Sequence, residues 1–463
     1  MHVVIIGAYG SAGVTVAGDL ADEEGVELTL IDDGEPGGGL CILDGCMPSK
    51  EVLSAGAHRF QARHDDRIEG TPSVDLERVV ATKDEHIHSF AAHRRSAVHD
   101  LAERENVEFI HDRARFVDDH TVAVSDRVIE ADYVVVATGS VHNVPDLPGI
   151  DEVDYWTSDD VLDATAFPDS GIVMGFGYIG AELAPYIAEA GDCSLTVIEH
   201  DDRPLDEADP AFGDALLDIY EDSFDLEVLT NTYERRLEST DEGVRLTVER
   251  EDGREETIEA EALFLFTGRR PNVDGLGFEH TPITPEGEWV RDTMQAEADD
   301  RTFVVGDVNG KEPILHVAKE QGFCAADNIL AHARGDPLTE YENVHHHVVF
   351  SGLALYPYAR VGHSAASAEA EGLEFVHVSR QAADDGVFKT KAHPEGLASL
   401  VVGTDGTVLG YQGLHYHADV MAKTMQVVVE LGLDVRELPD RAYHPTTPEI
   451  LDGLFRDASA ALE

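Results

Sequence analysis

Lysine and long hydrophobic runs are both scarce in this sequence of 463 residues. No apolar run approaches the roughly 20 residues that a membrane-spanning helix requires, so no membrane association is expected. Only 7 of the 33 basic residues are lysines, whereas 92 residues are acidic, and the formal net charge is −59. A surface with this charge repels phosphate backbones, and nucleic acid is therefore excluded as an expected partner.

An excess of acidic residues is typical of disordered chains when hydrophobic residues are few. Here hydrophobic residues make up 43% of the sequence, and the acidic residues are spread through periodic apolar segments. This composition resembles that of proteins from halophilic archaea, where molar salt screens charge repulsion beyond about 3 Å. The first residues, MHVVIIGAYG, predict a β-strand rather than a leader peptide. A cytoplasmic protein of about three domains is expected.

Cysteine is rare as well, and its spacing is informative. Two of the four cysteines, Cys41 and Cys46, lie close together in the sequence. Because structural disulfides are rare in a reducing cytosol, this pair indicates redox or metal chemistry. Cys193 and Cys324 have no local partner, and we expect both to be buried structural thiols.

Two segments have the strand–glycine–helix–strand order of a dinucleotide-binding unit. The first covers residues 3–20 with a second strand at 26–33, and the other covers residues 171–191 with a second strand at 194–200. The later unit has the G-x-G-x-x-G pattern, and the earlier one has an additional residue in the first gap. The glycines concerned are Gly175, Gly177 and Gly180 in the later unit, and Gly7, Gly10 and Gly13 in the earlier one.

An acidic residue ends the second strand of each unit, Asp32 in the first and Glu199 in the other. Such a carboxylate accepts hydrogen bonds from ribose hydroxyls and repels a 2′-phosphate, so Glu199 favours NADH over NADPH. The nearby Arg203 is the feature that keeps NADPH open as an alternative.

The segment GGGLCILDGCMPSK at 37–50 carries the cysteine pair. Gly45 permits the bend that brings two Cα atoms within disulfide range. A helix starting at Cys46 would favour its thiolate. The alternatives to a redox-active pair are a structural disulfide and half of a zinc site, although a zinc site needs further ligands. No metal is expected at His345–His347 either, because adjacent residues of a strand face opposite sides.

Taken in order, these motifs resemble the pyridine-nucleotide disulfide oxidoreductases, the family of dihydrolipoyl dehydrogenase, glutathione reductase and mercuric reductase. The resemblance covers nearly the whole chain. It consists of Cys-x4-Cys-x-Pro-Ser-Lys at 41–50, ATG at 137–139, GxGxxGxE at 175–182, GRRPN at 268–272, GD at 306–307, LHVA at 315–318 and HPTTPE at 444–449.

The resemblance implies an α/β fold with two Rossmann-like domains and a C-terminal α+β dimerisation domain. Its FAD-binding domain would comprise residues 1–148 and 270–335, its NAD(P)-binding domain residues 149–269, and its dimerisation domain residues 340–463. A homodimer follows, in which His444, oriented by Glu449, serves the disulfide of the other subunit.

The family pattern also assigns roles to single residues. Cys46 would be the thiolate against the flavin and Cys41 the interchange thiol, while Lys50 would pair with Glu182 beside the flavin ring. Tyr178 would gate the nicotinamide face. The residues that would hold FAD and NAD(P)H are Gly7, Gly10, Gly13, Asp32, Gly39, Lys50, Ala137, Thr138, Gly139, Gly175, Gly177, Tyr178, Gly180, Glu199, Gly268, Arg269, Gly306 and Asp307.

The implied activity is electron transfer from NAD(P)H through FAD and the Cys41–Cys46 disulfide to the disulfide of a small thiol. Bis-γ-glutamylcystine is the expected substrate, since halophilic archaea use γ-glutamylcysteine. Dihydrolipoyl dehydrogenase is the alternative, although Ala442 replaces a histidine usual in that enzyme. A mercuric reductase is disfavoured because no cysteine follows Cys324. A flavin-binding redox sensor without turnover is the alternative from another class of protein.

Overall fold

The computed structural model describes residues 1–224, 226–441 and 443–463, so that Ala442 lies outside the described part of the chain. The helices of the described residues are α1 (Ser11–Leu20), α2 (Leu40–Leu43), α3 (Cys46–His64), α4 (Leu76–Leu101), α5 (Ser158–Leu162), α6 (Tyr178–Gly191), α7 (Pro210–Ser223), α8 (Leu315–Arg334), α9 (Ala365–Ala370), α10 (Gly386–Thr390), α11 (Ala418–Glu430) and α12 (Glu449–Ala461).

The strands are β1 (His2–Ile6), β2 (Glu27–Asp32), β3 (Val107–His111), β4 (Ala114–Asp118), β5 (Thr121–Val124), β6 (Arg127–Glu130), β7 (Tyr133–Val136), β8 (Ser140–His142), β9 (Ser170–Met174), β10 (Ser194–Ile198), β11 (Leu226–Leu229), β12 (Thr232–Thr240), β13 (Gly243–Arg250), β14 (Glu255–Ala260), β15 (Ala262–Leu265), β16 (Arg269–Pro271), β17 (Gln295–Ala296), β18 (Asp299–Val304), β19 (His346–Val349), β20 (Tyr358–Gly362), β21 (Phe375–Gln381), β22 (Leu397–Gly403) and β23 (Val408–Leu414).

Contacts divide the chain into two compact units. Unit one comprises Met1–Pro48, Thr82–Asn143 and Arg269–Asn343, and unit two comprises Ser49–Ala81, Val144–Gly268 and Val344–Glu463. The predicted division into three domains stays a prediction.

Unit one is built on a six-stranded sheet with the order β17-β18-β7-β1-β2-β3. All of its pairs are parallel except the edge pair β17–β18. The strand β1 is rich in β-branched residues, and Val3, Val4 and Ile5 are completely buried, as a central parallel strand covered on both faces requires. A three-stranded antiparallel sheet, β4-β5-β6, completes this unit together with the short pair β8–β16.

Unit two contains a four-stranded parallel sheet, β11-β10-β9-β15, and an antiparallel three-stranded sheet, β12-β13-β14. Its C-terminal part is a five-stranded antiparallel sheet with the order β19-β20-β23-β22-β21. Apolar residues of α11 and α12, among them Met425 and Leu454, pack onto this sheet. The mixture of two dinucleotide-binding folds and an α+β domain confirms the fold class predicted from the sequence.

The helix α3 contains two arginines, Arg59 and Arg63, that lie one helical turn apart. In the structure both guanidinium groups bind the carboxylate of Glu189 on α6, at 2.8 Å from Arg59 and 2.6 Å from Arg63. Glu189 is 2% exposed, and a buried carboxylate requires such partners. Both arginines are therefore structural.

Among the described residues, no helix is both long enough and apolar enough to cross a membrane.

Candidate active site

The glycine loop of unit one connects β1 to α1 in very close contact with its neighbours. Gly7 has a φ of 95°, and a methyl group on it would lie 2.3 Å from the carbonyl oxygen of Ala137. A methyl group on Gly13 would lie 2.1 Å from the carbonyl oxygen of Gly7. Gly10 is the N-cap of α1. These contacts place the backbone of the loop against the end of β7. They leave the N–H groups at the N-terminus of α1 accessible to a ligand.

The loop of unit two repeats this geometry with one residue fewer. Methyl groups on Gly175 and Gly180 would lie 2.5 Å from the carbonyl oxygen of Phe266 and 2.3 Å from that of Gly175. Gly177 is the N-cap of α6, and a methyl group there would meet nothing within 4 Å. The additional residue of the first loop therefore lies between its first glycine and its N-cap glycine, and both loops keep the contacts that bring strand and helix together.

The acidic residues that end the second strands are both held by backbone groups. The carboxylate of Asp32 accepts hydrogen bonds from the backbone nitrogens of Tyr9 and Gly34, each at 2.8 Å. Glu199 accepts one from the nitrogen of Asp201 at 2.9 Å. Burial raises the pKa of both carboxyl groups. Each side chain thus lies at the carboxyl end of its parallel strand, where dinucleotides bind in such sheets.

A cleft in unit one brings the predicted thiols and the FAD motifs together. Its wall contains both thiols, the N-terminus of α1, the turn after β7 and the turn after β18. It is lined by Gly10, Ser11, Ala12, Gly39, Leu40, Cys41, Gly45, Cys46, Ala137, Gly139, Val305, Gly306, Asp307, Pro313, Leu315 and Ala318.

Cys41 lies in the short helix α2, and Cys46 is the first residue of α3. Gly45 between them sits against Cys41, because a methyl group on Gly45 would lie 3.1 Å from the Cys41 Cα atom. The first turn of a helix carries partial positive charge, which favours a thiolate at Cys46. The hydrogen bond with Cys46 raises the pKa of the Cys41 thiol, and burial and the negative charge of Cys46 raise it further. These effects favour the protonated form of Cys41.

Arg94 on α4 is a residue of this site that the sequence motifs did not indicate. Its Nη1 donates a hydrogen bond to the carbonyl oxygen of Tyr9 in the glycine loop at 3.0 Å. Burial lowers the pKa of Arg94, and its charge acts on Cys41 to lower the pKa of that thiol. No local pattern marks an arginine in the middle of a long amphipathic helix, so only the tertiary structure reveals it.

Hydrogen bonds connect the ATG, GRRPN and GD motifs, and residues of the ATG and GD motifs line the cleft. Ser140 donates to the carboxylate of Asp307 at 2.8 Å and receives a hydrogen bond from the Nε of Arg269 at 3.0 Å. Thr138 donates to the carbonyl oxygen of Asn272 at 2.7 Å. Arg269 therefore orients Asp307 through Ser140, and Asn272 fixes the turn that contains Thr138.

A second cluster lies within unit two. The ammonium group of Lys50 binds the Oε2 of Glu182 at 2.7 Å and lies 4.3 Å from the centre of the Phe350 ring. The other oxygen of Glu182 accepts a hydrogen bond from the Phe350 nitrogen at 2.9 Å. Tyr178, the first residue of α6, is 40% exposed and donates to the Oε1 of Glu207 at 2.6 Å. The predicted Lys50–Glu182 ion pair is present.

His444 and Glu449 form the third group. The Nδ1 of His444 lies 3.1 Å from each carboxylate oxygen of Glu449, and Glu449 also accepts from the nitrogen of Thr446 at 2.9 Å. The hydrogen bonds from Thr446 and His444 lower the pKa of Glu449. The peptide bond His444–Pro445 is cis. The imidazole side chain is 79% exposed, so its Nε2 points toward solvent or a partner rather than into the described part of its own subunit.

The two remaining cysteines lie apart from these groups. Cys193 is buried, as expected, and Cys324 is only partly buried and bonds to the carbonyl oxygen of Thr339.

The cleft of unit one presents backbone and side-chain groups that FAD requires. A methyl group on Gly139 would meet nothing within 4 Å, and one on Gly10 would meet only ordinary contacts at 3.4 and 3.5 Å. Backbone at both places is therefore open to a ligand. The N-terminus of α1 suits a pyrophosphate, and Cys46 and Asp307 lie along the same cleft. A dithiol beside a dinucleotide-binding loop is the arrangement of a nucleotide-dependent thiol–disulfide oxidoreductase.

Comparison with known families agrees with this class. Residues 1–322 match the family described as pyridine nucleotide-disulphide oxidoreductase, and residues 347–454 match the dimerisation domain of that family. The chain belongs to the pyridine nucleotide-disulphide oxidoreductase family. This family is FAD-dependent and uses NAD(P)H, and its dimerisation domain indicates a homodimer.

Relatives include a mercuric reductase of Staphylococcus aureus, 29% identical over 72% of this chain and 60% of that protein. The chain therefore spans less than two thirds of the length of this relative. A dihydrolipoyl dehydrogenase of Haloferax volcanii is 26% identical over 97% of this chain and 94% of its own length. Among solved structures, the HOCl-induced flavoprotein disulfide reductase RclA from Escherichia coli has a similar fold, with a TM-score of 0.83, 23% identity and coverage of 98% and 99% of the two chains.

The contact between Gly13 and Gly7 makes a direct prediction. We expect Gly13→Ala to lose most of its bound FAD and to unfold at a lower temperature, because the new methyl group would collide with the Gly7 carbonyl oxygen. Gly18→Ala in the same helix is the matched control, since a methyl group on Gly18 meets nothing within 4 Å. The flavin-to-protein absorbance ratio and the Tm in molar KCl measure both effects. Full FAD content in Gly13→Ala would contradict the requirement for glycine.

Proposed function

We propose that the chain transfers electrons from NADH, through FAD, to the disulfide of a small thiol such as bis-γ-glutamylcystine. The observation that carries this proposal is the position of the Cys41–Cys46 dithiol on the wall of the cleft that suits FAD. When bound, FAD supplies hydride acceptance from the nicotinamide and delivery of an electron pair to the protein disulfide. The residues proposed to hold it are the glycine loop of unit one, Asp32, Gly39, the ATG turn and Asp307.

The thiol chemistry follows from the states of the two sulfurs. The Cys41 sulfur, once deprotonated, attacks one sulfur of the substrate disulfide and forms a mixed disulfide, and the other half of the substrate leaves as a thiolate. The Cys46 thiolate then attacks Cys41, which reforms the protein disulfide and releases the second substrate thiolate. Two protons convert the products to thiols. The balance is one NADH, one proton and one disulfide giving NAD⁺ and two thiols.

Because the pKa of Cys41 is raised by its neighbour, the first step requires a base. We assign this role to His444, which would take the proton of Cys41 and return it to the leaving thiolate. Glu449 fixes the imidazole through Nδ1 and leaves Nε2 for the exchange. In keeping with the family, we place His444 at the thiols of the partner subunit.

The surface of the C-terminal part supports a homodimer. Val420, Val427 and Leu431 are 65%, 45% and 67% exposed on or next to α11, and Tyr443 is 90% exposed. In an otherwise highly charged protein, such exposed apolar residues indicate a surface that a partner covers.

The preference for NADH rests on two ion pairs as well as on Glu199. The guanidinium group of Arg203 donates to Asp214 at 2.8 Å and binds Asp202 at 2.9 Å. Because two carboxylates neutralise its charge, Arg203 would attract a 2′-phosphate only weakly. Glu199 would repel a 2′-phosphate.

Dihydrolipoyl dehydrogenase is the second candidate function. It is favoured by the Haloferax volcanii relative, whose match covers nearly the full length of both chains. The fold and the thiol geometry serve either direction of the reaction, so the substrate decides between the two functions.

A panel of substrates tests the proposal. Turnover of bis-γ-glutamylcystine, cystine, oxidised glutathione and lipoamide is measured with NADH and with NADPH in molar KCl. We expect the highest kcat/KM for bis-γ-glutamylcystine and a preference for NADH of about tenfold or more, which corresponds to about 1.4 kcal/mol. Highest activity with lipoamide would favour the second candidate. Absence of turnover with all four would favour a redox sensor, and a tenfold preference for NADPH would overturn the role of Glu199.

The roles of the thiols are tested by single substitutions. Cys41→Ser should still be reduced by NADH but should lose disulfide turnover, because the interchange thiol is missing. Cys46→Ser should also lose the long-wavelength absorbance that a thiolate produces beside oxidised flavin. Stopped-flow spectra and turnover assays give both results, and Cys193→Ser is the matched control that should resemble wild type. Substantial disulfide turnover in either variant of the pair would show that the roles are assigned wrongly.

The position of His444 is tested by subunit exchange. Inactive Cys41→Ser and His444→Ala proteins are mixed and allowed to exchange subunits. If His444 acts across the dimer, each mixed dimer contains one complete site, and random exchange restores about one quarter of the wild-type activity. Each parent re-exchanged with itself is the control. Activity that stays at the level of the parents, after mass spectrometry has shown exchange, would place His444 in its own subunit.

A further inference from the structure

A cluster of metal-ligating side chains lies in unit two, outside the thiol site. It comprises Glu207, His345 and His347, whose ligand atoms all lie within 4.8 Å of one another. The Nε2 of His345 lies 2.8 Å from the Nδ1 of His347 and 3.3 Å from the Oε2 of Glu207. Glu207 is partly exposed and His347 is buried, so one side of the cluster is open to solvent.

The strand β19 explains why two of three consecutive histidines come together. Side chains two positions apart on an extended chain lie on the same face, while the one between them faces the other side. His345 and His347 thus share a face, and His346 contacts Gln426 instead, at 3.4 Å. Adjacent histidines of a strand do face opposite sides, as the sequence predicts, but His345 and His347 are two positions apart. Glu207, in the loop before α7, comes from a distant part of the chain and could not be assigned to this group from the sequence.

The spacing of the three ligand atoms suits a small divalent ion. Zinc binds histidine nitrogen and carboxylate oxygen at about 2.0–2.2 Å, so two ligands in a tetrahedral site lie roughly 3.3 Å apart. The ligand atoms of His345 and His347 lie 2.8 Å apart, and those of His345 and Glu207 lie 3.3 Å apart. All three ligand atoms lie within 4.8 Å of one another, which is the range in which one ion contacts three ligands. Two imidazoles and a carboxylate are the ligands that zinc and similar transition metals prefer.

The charges of the cluster also suit a cation. The carboxylate of Glu207 supplies a negative group beside the two imidazoles, with its Oε2 3.3 Å from the Nε2 of His345. Arg360 is the opposing charge, with its Nη1 3.7 Å from the Oε2 of Glu207. The same Nη1 donates to the carbonyl oxygen of Glu207 at 2.9 Å, so it keeps a partner when the Oε2 of Glu207 binds a metal.

We propose that Glu207, His345 and His347 bind one divalent transition metal ion of the type that Zn²⁺ represents. The three side chains supply three ligands, and the partly exposed side of the cluster leaves the fourth position to water. Binding of this ion does not depend on the proposed disulfide reductase activity.

The site has a consequence for Tyr178, and this consequence rests on the proposed function. The Oε1 of Glu207 accepts the hydrogen bond of Tyr178, while its Oε2 faces His345. A metal ion on Oε2 would hold Glu207, and with it Tyr178, in the present position. If Tyr178 gates the nicotinamide face, bound metal slows the reduction of FAD by NADH.

Metal binding is tested on the FAD-containing enzyme with Cys41 and Cys46 kept as a disulfide, because the reduced thiols would themselves bind metal. Co²⁺ is titrated in molar KCl with a large excess of Mg²⁺, which occupies the acidic surface. The visible Co²⁺ absorbance reports imidazole and carboxylate ligands, and Zn²⁺ is expected to displace Co²⁺. We expect one equivalent to bind to the wild-type chain, and His345→Gln, His347→Gln and Glu207→Gln each to weaken binding about tenfold or more.

His346→Gln is the matched control, since it removes a neighbouring histidine of the same strand and should bind Co²⁺ like wild type. Tyr178→Phe should also retain the metal, because the tyrosine is not a ligand. FAD content and circular dichroism verify that each variant is folded. The site is overturned if wild-type enzyme gives no visible Co²⁺ absorbance, or if His346→Gln weakens binding as much as His345→Gln.

The kinetic consequence has its own readout. Zn²⁺ should slow the reduction of FAD by NADH in wild type and in His346→Gln, but not in His345→Gln. Equal rates with and without Zn²⁺, in enzyme shown to contain the metal, would overturn the effect on Tyr178 and leave the metal site standing. Failure of disulfide turnover would affect neither result.

Discussion

The position of Cys46 at the first residue of α3 is the constraint on which the chemistry of the thiol site depends. A helix of 19 residues places partial positive charge at this sulfur. A thiolate favoured there raises the pKa of Cys41, so Cys41 cannot start an exchange without a base. The Nδ1 of His444 is bonded to Glu449, and the imidazole side chain is 79% exposed. The proposed placement of His444 at the thiols of a partner subunit would supply the base that Cys41 requires.

A protein with a net charge of −59 that binds two anionic dinucleotides must attract phosphate by means other than surface cations. Many of its arginines are already paired with carboxylates, as Arg203 is with Asp214 and Arg59 with Glu189. The backbone supplies the positive charge that phosphate groups require. The N-termini of α1 and α6, capped by Gly10 and Gly177, direct N–H groups and a helix dipole toward a pyrophosphate. The dipole and the N–H groups act at contact distance, where molar salt screens least.

The sequence predicted those parts of the structure that local patterns determine. The hydrophobic periodicity and the glycines at the turns identify strands such as β1 and β9 and the helices that follow them. No tertiary information is needed for this assignment. The close spacing of Cys41 and Cys46 indicated redox or metal chemistry from the sequence itself, whereas the Lys50–Glu182 ion pair was expected only from the resemblance to the family. The contacts of Arg94 with the glycine loop could not be predicted, since its helix position has no motif. The same holds for Glu207, whose partners come from another segment of the chain.

Two residues of α6 that lie at the proposed nicotinamide site are both connected by hydrogen bonds to the segment around the short strand β19. Tyr178 and Glu182 lie one helical turn apart. Tyr178 is bonded to Glu207, which the histidines beside β19 hold, and Glu182 accepts from the nitrogen of Phe350, directly after the same strand. These hydrogen bonds connect both residues of α6 to the segment 345–350. If Glu207, His345 and His347 bind a metal ion as proposed, Glu207 would connect this ion to Tyr178, while Glu182 is bonded to Phe350 of the same segment.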